Sequence, residues 1–232
     1  MTSCLGDPAT NFTINNAAGV IGTNSSGNKV IYVKGGDAIS SEDFQSTSMA
    51  NGDCVLFDYA IDMASNENIN NGEANGYLTA TIYTNTMSDV SKWETSSVLT
   101  DTAKVVPCEQ TISTIQTRTA YIQDNLFIFT EMSKHSSASV DSFSLSFNPA
   151  QKLGDDNVYN LYLRSVSLDT TIVGTSTMIV PVAFDIKSLV NSSAAHTTDS
   201  EALKFRINYL SSIGKDSTCV WKKTDVFTLG GD

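Results

Sequence analysis

Polar and apolar residues alternate along much of this chain with the two-residue period of half-buried strands. The clearest cases are residues 140–148, where Phe143, Leu145 and Phe147 share a face, and 202–209, where Leu203, Phe205, Ile207 and Tyr209 do. Residues 54–62 place Phe57, Tyr59 and Ile61 on one side and Asp58, Ala60 and Asp62 on the other. Val30-Ile31-Tyr32-Val33 reads as a short strand ended by Gly35-Gly36-Asp37. Residues 77–83 answer 54–62 as a hairpin partner, with polar residues 64–76 as a long mobile tip. Residues 121–130 form either a strand pair or one strand interrupted at Asp124-Asn125. Residues 159–166, 178–186 and 219–229 supply further strands, and Pro181 places its strand near an edge or a bulge. The only helical signal is a turn at Ser40-Ser41-Glu42-Asp43-Phe44, started by a serine cap.

The pattern is all-β, in two units. Residues 1–28 read as a tether with an early strand near Phe12 or Gly19, 29–109 as a small barrel, and 110–232 as an antiparallel sandwich. Hydrophobic residues make up 41% of the chain, enough for a packed core, while only 17% are charged. Ser, Thr and Asn take the place of Lys/Glu pairs, a mix common in extracellular β proteins. The net charge of −11 excludes nucleic acid as a partner. No run approaches the roughly 18 apolar residues of a membrane span.

Four cysteines remain to be placed. Cys4 lies too near the start to be a core residue, and Thr2-Ser3-Cys4 resembles the end of a bacterial lipobox. In that reading Cys4 carries the lipid, a hydrophobic signal peptide before it has been removed, and residues 5–28 give reach. The other three cysteines allow at most one internal disulfide. A Cys54–Cys108 bridge would close the first domain; a buried free thiol at Cys54 is the other reading.

Cys4-Leu5-Gly6-Asp7, the Asn51–Tyr59 run NGDCVLFDY and the strands near 143–147, 182–186 and 203–209 together resemble the NigD-like lipoproteins of Bacteroidota. The resemblance implies a lipidated (palmitate-bearing) cysteine, an OB-like first domain and an immunoglobulin-like second one, and brings no established activity. Asp101-Thr102-Ala103, Asp169-Thr170-Thr171 and Asp216-Ser217-Thr218 resemble the O-glycosylation motif of the same phylum, which would place sugar on Thr102, Thr170 and Ser217.

Catalytic sets do not assemble from this sequence. His135 and His196 both sit in polar stretches without a nucleophile elbow. Asp58 and Asp62, or Asp155 and Asp156, could in principle form a glycosidase pair, but their positions read as solvated surface. Asp155-Asp156-Asn157 lacks the glycine and terminal glutamate of a calcium loop, and no metal or other cofactor is expected. Trp93, in a polar stretch, is the best candidate for an exposed binding aromatic, with packing against the neighbouring domain as its default reading. The expectation is therefore a non-catalytic outer-membrane lipoprotein that binds or scaffolds a membrane-protein partner or a glycan, with residues 64–76 and 187–200 as contact loops. A subunit of a surface fibre, built by strand insertion, is the rival reading, and a glycan-acting accessory protein the third.

Overall fold

The computed structural model describes residues 10–134, 141–168, 176–194 and 202–229, with 70–73 and 193–194 described by backbone alone. The chain divides between Val90 and Ser91 into two units.

The first unit is one sheet of β1 (Asn11–Thr23), β2 (Lys29–Val33), β3 (Ala38–Ser40), β4 (Cys54–Asp62), β5 (Leu78–Thr79) and β6 (Thr81–Asp89). Their spatial order is β5-β3-β2-β1-β4-β6. β5 and β6 are one strand broken at Ala80: its start runs parallel to β3 and the remainder antiparallel to β4. One strand thereby joins both edges of the sheet, which is the connectivity of a five-stranded OB barrel. Two irregularities help it curl. β1 shifts register between Ile14 and Ala17, and the β4–β6 pairing shifts between Leu56 and Asp58. Both meet at Asp58, whose carboxylate accepts the Asn16 N–H at 2.7 Å and whose own N–H donates to Thr86 Oγ1 at 3.0 Å. Bulges of this kind bend strands and raise their twist. Inside the barrel Ile21, Ile31, Ile39, Phe44, Val55 and Phe57 pack together. A side chain at Gly19 would meet Ile31 and stand 2.8 Å from the Phe57 ring, so β1 has glycine where it crosses the core.

Two helices punctuate this barrel. α1 (Glu42–Gln45) begins as its sequence indicates: Ser41 Oγ accepts the Phe44 N–H at 3.2 Å, and Phe44 is fully buried. α2 (Asn66–Asn75) occupies the stretch expected to be a mobile loop. It has almost no apolar face; Ile69 is 65% exposed. Hydrogen bonds hold it instead. Ser65 Oγ accepts the Asn68 N–H, and the Asn68 amide donates to Asp62 O and Thr79 O while accepting the Thr79 N–H.

The second unit contains β7 (Lys92–Ser96), β8 (Glu109–Gln110), β9 (Ile112–Ile115), β10 (Ala120–Ile122), β11 (Asn125–Lys134), β12 (Asp141–Phe147), β13 (Val158–Ser167), β14 (Ser176–Asp185), α3 (Lys187–Ala194), β15 (Leu203–Ile213), β16 (Cys219–Lys223) and β17 (Phe227–Leu229). One layer runs β10-β11-β14 and the other β12-β13-β15-β16, with β9 on β11, β8 on β13 and β17 on β15. Phe143, Leu145, Leu161, Leu163, Phe205 and Ile207 of one layer bury against Leu126, Ile128, Val182 and Phe184 of the other. β7 belongs to both: Lys92–Glu94 pair with β14 and Thr95–Ser96 with β12.

Several expectations are corrected here. The tether over residues 5–28 is largely β1, which pairs with β4 from Asn11 onward. The domain boundary lies at Val90/Ser91 and not near 109, because β7 draws residues 91–96 into the sandwich. The sandwich is not purely antiparallel: β7–β12, β7–β14 and β13–β15 are parallel. Residues 187–194 are helix α3, which buries Leu189 in the core, where a contact loop was expected. The open choice at 121–130 resolves as a strand pair, β10 and β11, turning through Gln123 and Asp124, both at positive φ (47° and 64°).

Candidate functional site

In the first unit an open cleft of about 430 Å³ lies between α1, α2, the end of the β1–β2 turn and the start of β5. Its lining includes Asn28, Glu42, Gln45, Glu67, Asn75 and Tyr77. Local hydrogen bonds hold these walls. Gln45 is fixed by three: its Nε2 donates to Lys29 O and Ser40 Oγ, and its Oε1 accepts the Lys29 N–H. The end of α2 is clamped by Asn24, whose Nδ2 donates to Asn75 O at 2.7 Å and to Gly76 O at 3.2 Å. Asn24 is itself locked, since its Oδ1 accepts the N–H groups of Ser26 and Asn28. Gly76 has φ +67°, and a β-carbon there would stand 3.1 Å from Asn24 Nδ2. The turn at 22–28, part of the stretch read as a tether, is therefore a clamp on the cleft. Asparagines at a turn signal such local bonding, but their distant partner, Asn75, was not visible in the sequence.

The second unit brings together two of the three expected glycosylation motifs. Asp101 Oδ1 accepts the Ala103 N–H at 3.0 Å, and Asp216 Oδ1 accepts the Thr218 hydroxyl at 2.7 Å. These bonds favour the charged carboxylates and hold both below the usual range, with the Ala103 N–H the largest cause at Asp101 and the Thr218 hydroxyl at Asp216. An isolated bridge between Lys104 and Thr218 sets the two turns side by side, leaving Ser217 exposed and Thr102 half-buried. Beneath them lies a buried ion pair, Arg164 with Glu109 at 3.2 Å. Arg164 Nη2 also donates to Asp101 O at 2.5 Å and Lys104 O at 2.9 Å. Its guanidinium sits 5.3 Å from the Trp221 ring centre, and Trp221 Nε1 donates to Thr102 O.

The remaining expected residues are not drawn together. Trp93 is half-buried in β7 and packs against the core of its own unit, so it is not an aromatic on a polar linker. Cys54 and Cys108 are not bridged to each other: Cys54 is buried in the first unit and Cys108 exposed in the second. Of the two readings of Cys54, burial within the barrel core is the one found, and the alternative bridge would have had to join two units. Cys4, Thr170, His135 and His196 lie outside the described residues. Among the described residues, no three His, Cys, Asp or Glu side chains are grouped to hold a metal ion, and no helix is long and apolar enough to cross a membrane.

The family described as Lipoprotein OB domain matches residues 9–87. The first unit is an OB domain. The match covers nearly all of it, including β1. No curated protein matches this sequence. Among solved structures, an uncharacterized protein from Parabacteroides merdae ATCC 43184 superposes with a TM-score of 0.75 at 20% identity, covering 95% of this chain and 100% of its own. A candidate lipoprotein from Bacteroides fragilis NCTC 9343 gives 0.61 at 10% identity, covering 94% and 97%. A NigD-like immunity protein from Bacteroides caccae ATCC 43185 gives 0.51 at 12% identity, covering 91% of each chain. At these identities the likeness is one of fold, and it spans both units. The resemblance drawn from Cys4 and the NGDCVLFDY strand thus has a lipoprotein OB domain and a NigD-like neighbour behind it.

Proposed function

We propose that this chain is a non-catalytic lipoprotein, held at the outer membrane through Cys4 and exposed at the cell surface, where its two units bind or scaffold a partner. The match of a lipoprotein OB domain over residues 9–87 carries the reading. A lipid on Cys4 would lie close to the barrel, because β1 begins at Asn11. The intervening residues 5–10 reach about 20 Å at full extension. At about 0.8 kcal/mol per buried CH₂, a triacyl anchor suffices without a second membrane signal.

The non-catalytic part is supported by what the suspect carboxylates do. Asp58 is bound to the Asn16 N–H, Asp62 caps the turn at Ala64, and Asp156 pairs with Arg206 at 2.6 Å. Each serves the fold. The test is intact-mass analysis of the native protein extracted from membranes. A triacylated species beginning at Cys4 is expected; an unmodified species recovered from the soluble fraction would refute the anchor. Co-purification from the same extract then identifies the partner.

A further inference from the structure

We propose that the cleft between α1 and α2 binds an uncharged saccharide without turning it over, a proposal that gives a ligand class to the binding role above and rests on it. The chemistry of the lining carries the argument. Amides (Asn28, Gln45, Asn75), carboxylates (Glu42, Glu67) and hydroxyls surround one aromatic ring, Tyr77, with no aliphatic side chain and no cation among the described lining residues. An apolar ligand would gain little from burial here. An anion would face two carboxylates with no compensating charge. A ligand that both donates and accepts at closely spaced positions fits, and vicinal sugar hydroxyls do so. Tyr77 adds a flat surface for the C–H face of a pyranose, with a polar tip beside it.

The groups free to take part are distinct from those that build the wall. Gln45 spends both amide hydrogens on Lys29 O and Ser40 Oγ. The Asn75 amide, the Tyr77 hydroxyl and the carboxylates of Glu42 and Glu67 make no hydrogen bond among the described residues, while the backbone that carries Asn75 is held by Asn24 and Asn28. The backbone of the walls is fixed before a ligand arrives, so the freedom lost on binding is confined to the unspent side-chain tips.

The test uses the full chain, labelled with ¹⁵N, titrated with neutral oligosaccharides of glucose, mannose and N-acetylglucosamine and, separately, with oligogalacturonate. At least one neutral probe should give saturable shifts at the Asn75 side-chain amide and the Tyr77 backbone, and oligogalacturonate none. Tyr77→Ala should weaken that binding about tenfold, equivalent to ~1.4 kcal/mol. Glu67→Gln changes an exposed residue and keeps the test open should the tyrosine variant fail to fold; it should weaken binding severalfold. The proposal falls if no neutral probe saturates at millimolar concentration, if oligogalacturonate binds the same residues equally well, or if neither variant changes affinity. Release of reducing ends from a bound probe would overturn the absence of turnover. A negative titration beside a lipidated Cys4 mass would remove the saccharide and leave the anchored-lipoprotein reading standing.

Discussion

Replacing Arg164 tests how the second unit holds its longest irregular connection. The Arg164 side chain is 4% exposed and that of its partner Glu109 is 0% exposed. In Arg164→Met the Glu109 carboxylate stays buried with the Val106 N–H as its remaining donor, and the carbonyls of Asp101 and Lys104 lose theirs. Breaking a buried pair from one side costs about 3–5 kcal/mol, because the surviving charge is uncompensated. The carbonyl losses overlap with that term, so about 4 kcal/mol is the working value. With a urea slope of about 2 kcal/mol/M, the midpoint should fall by about 2 M. Both tryptophans, Trp93 and Trp221, belong to the second unit, so their fluorescence reports its unfolding separately from the barrel's. Removing both charges in Arg164→Met/Glu109→Met should recover most of the loss, since an apolar pair leaves no buried charge. Local release should also appear as faster tryptic cleavage after Lys104, whose side chain is already 83% exposed. A single-variant loss below about 1 kcal/mol, or an equal loss when Glu109 is already Met, would refute the reasoning.

Gly19→Ala should destabilise the barrel by about 1–3 kcal/mol, through overpacking against Ile31 and Phe57. Hydrogen exchange should quicken across β1, β2 and β4 while tryptophan fluorescence unfolding of the second unit holds. Burial, reinforced by the hydrogen bond to Asp124, pushes the Tyr121 hydroxyl up to about 12 from its ordinary 10.0. A raised folded-state value means that its contribution to stability is complete below pH 10 and lost between about 10 and 12. Burial also raises Tyr59 and Tyr159, so absorbance at alkaline pH should show a late-ionising group of tyrosines that loses one member in Tyr121→Phe. A thiol reagent should label Cys108 first, Cys219 more slowly and Cys54 only on unfolding; a protein in which Cys54 and Cys108 resist labelling until reduced would contradict the unbridged pair.

Where neighbours in sequence settle the structure, the sequence was readable. Ser41 caps α1 because its hydroxyl needs only the Phe44 N–H three residues on. Pro181 sits on the edge of β14 that has no partner at that point among the described residues: Ala183 donates toward Ser91, on the β7 side, and β7 pairs with residues 183–185. The missing proline N–H, two residues earlier, faces the same unpaired side. β1 was harder to see, because Asn11 to Asn16 are all exposed and carry no buried face. Its strand state comes from backbone pairing with β4. α2 has no amphipathic pattern for the same reason that it needs none: Ser65 and Asn68 hold it through polar bonds to β4 and β5.

The candidate cleft belongs to the same class. Asn28, Gln45, Glu67, Asn75 and Tyr77 are unremarked polar residues in the sequence, and only barrel closure places their segments around one space. Arg164 follows two inward leucines in β13 and reads as an ordinary outward residue; the 101–106 segment covers it and makes it a buried anchor.

By itself the sequence determined that the chain is all-β, which faces of β4, β12 and β15 turn inward, and where α1 begins, because alternation and capping act over a few residues. Tertiary structure alone decided the boundary at Val90, the parallel partners of β7 and β13, the separation of Cys54 and Cys108 into different units, and the assembly of the cleft. A strand's pattern states which side is buried, not which strand lies beside it; that choice is made by long-range pairing and closure of the sheet.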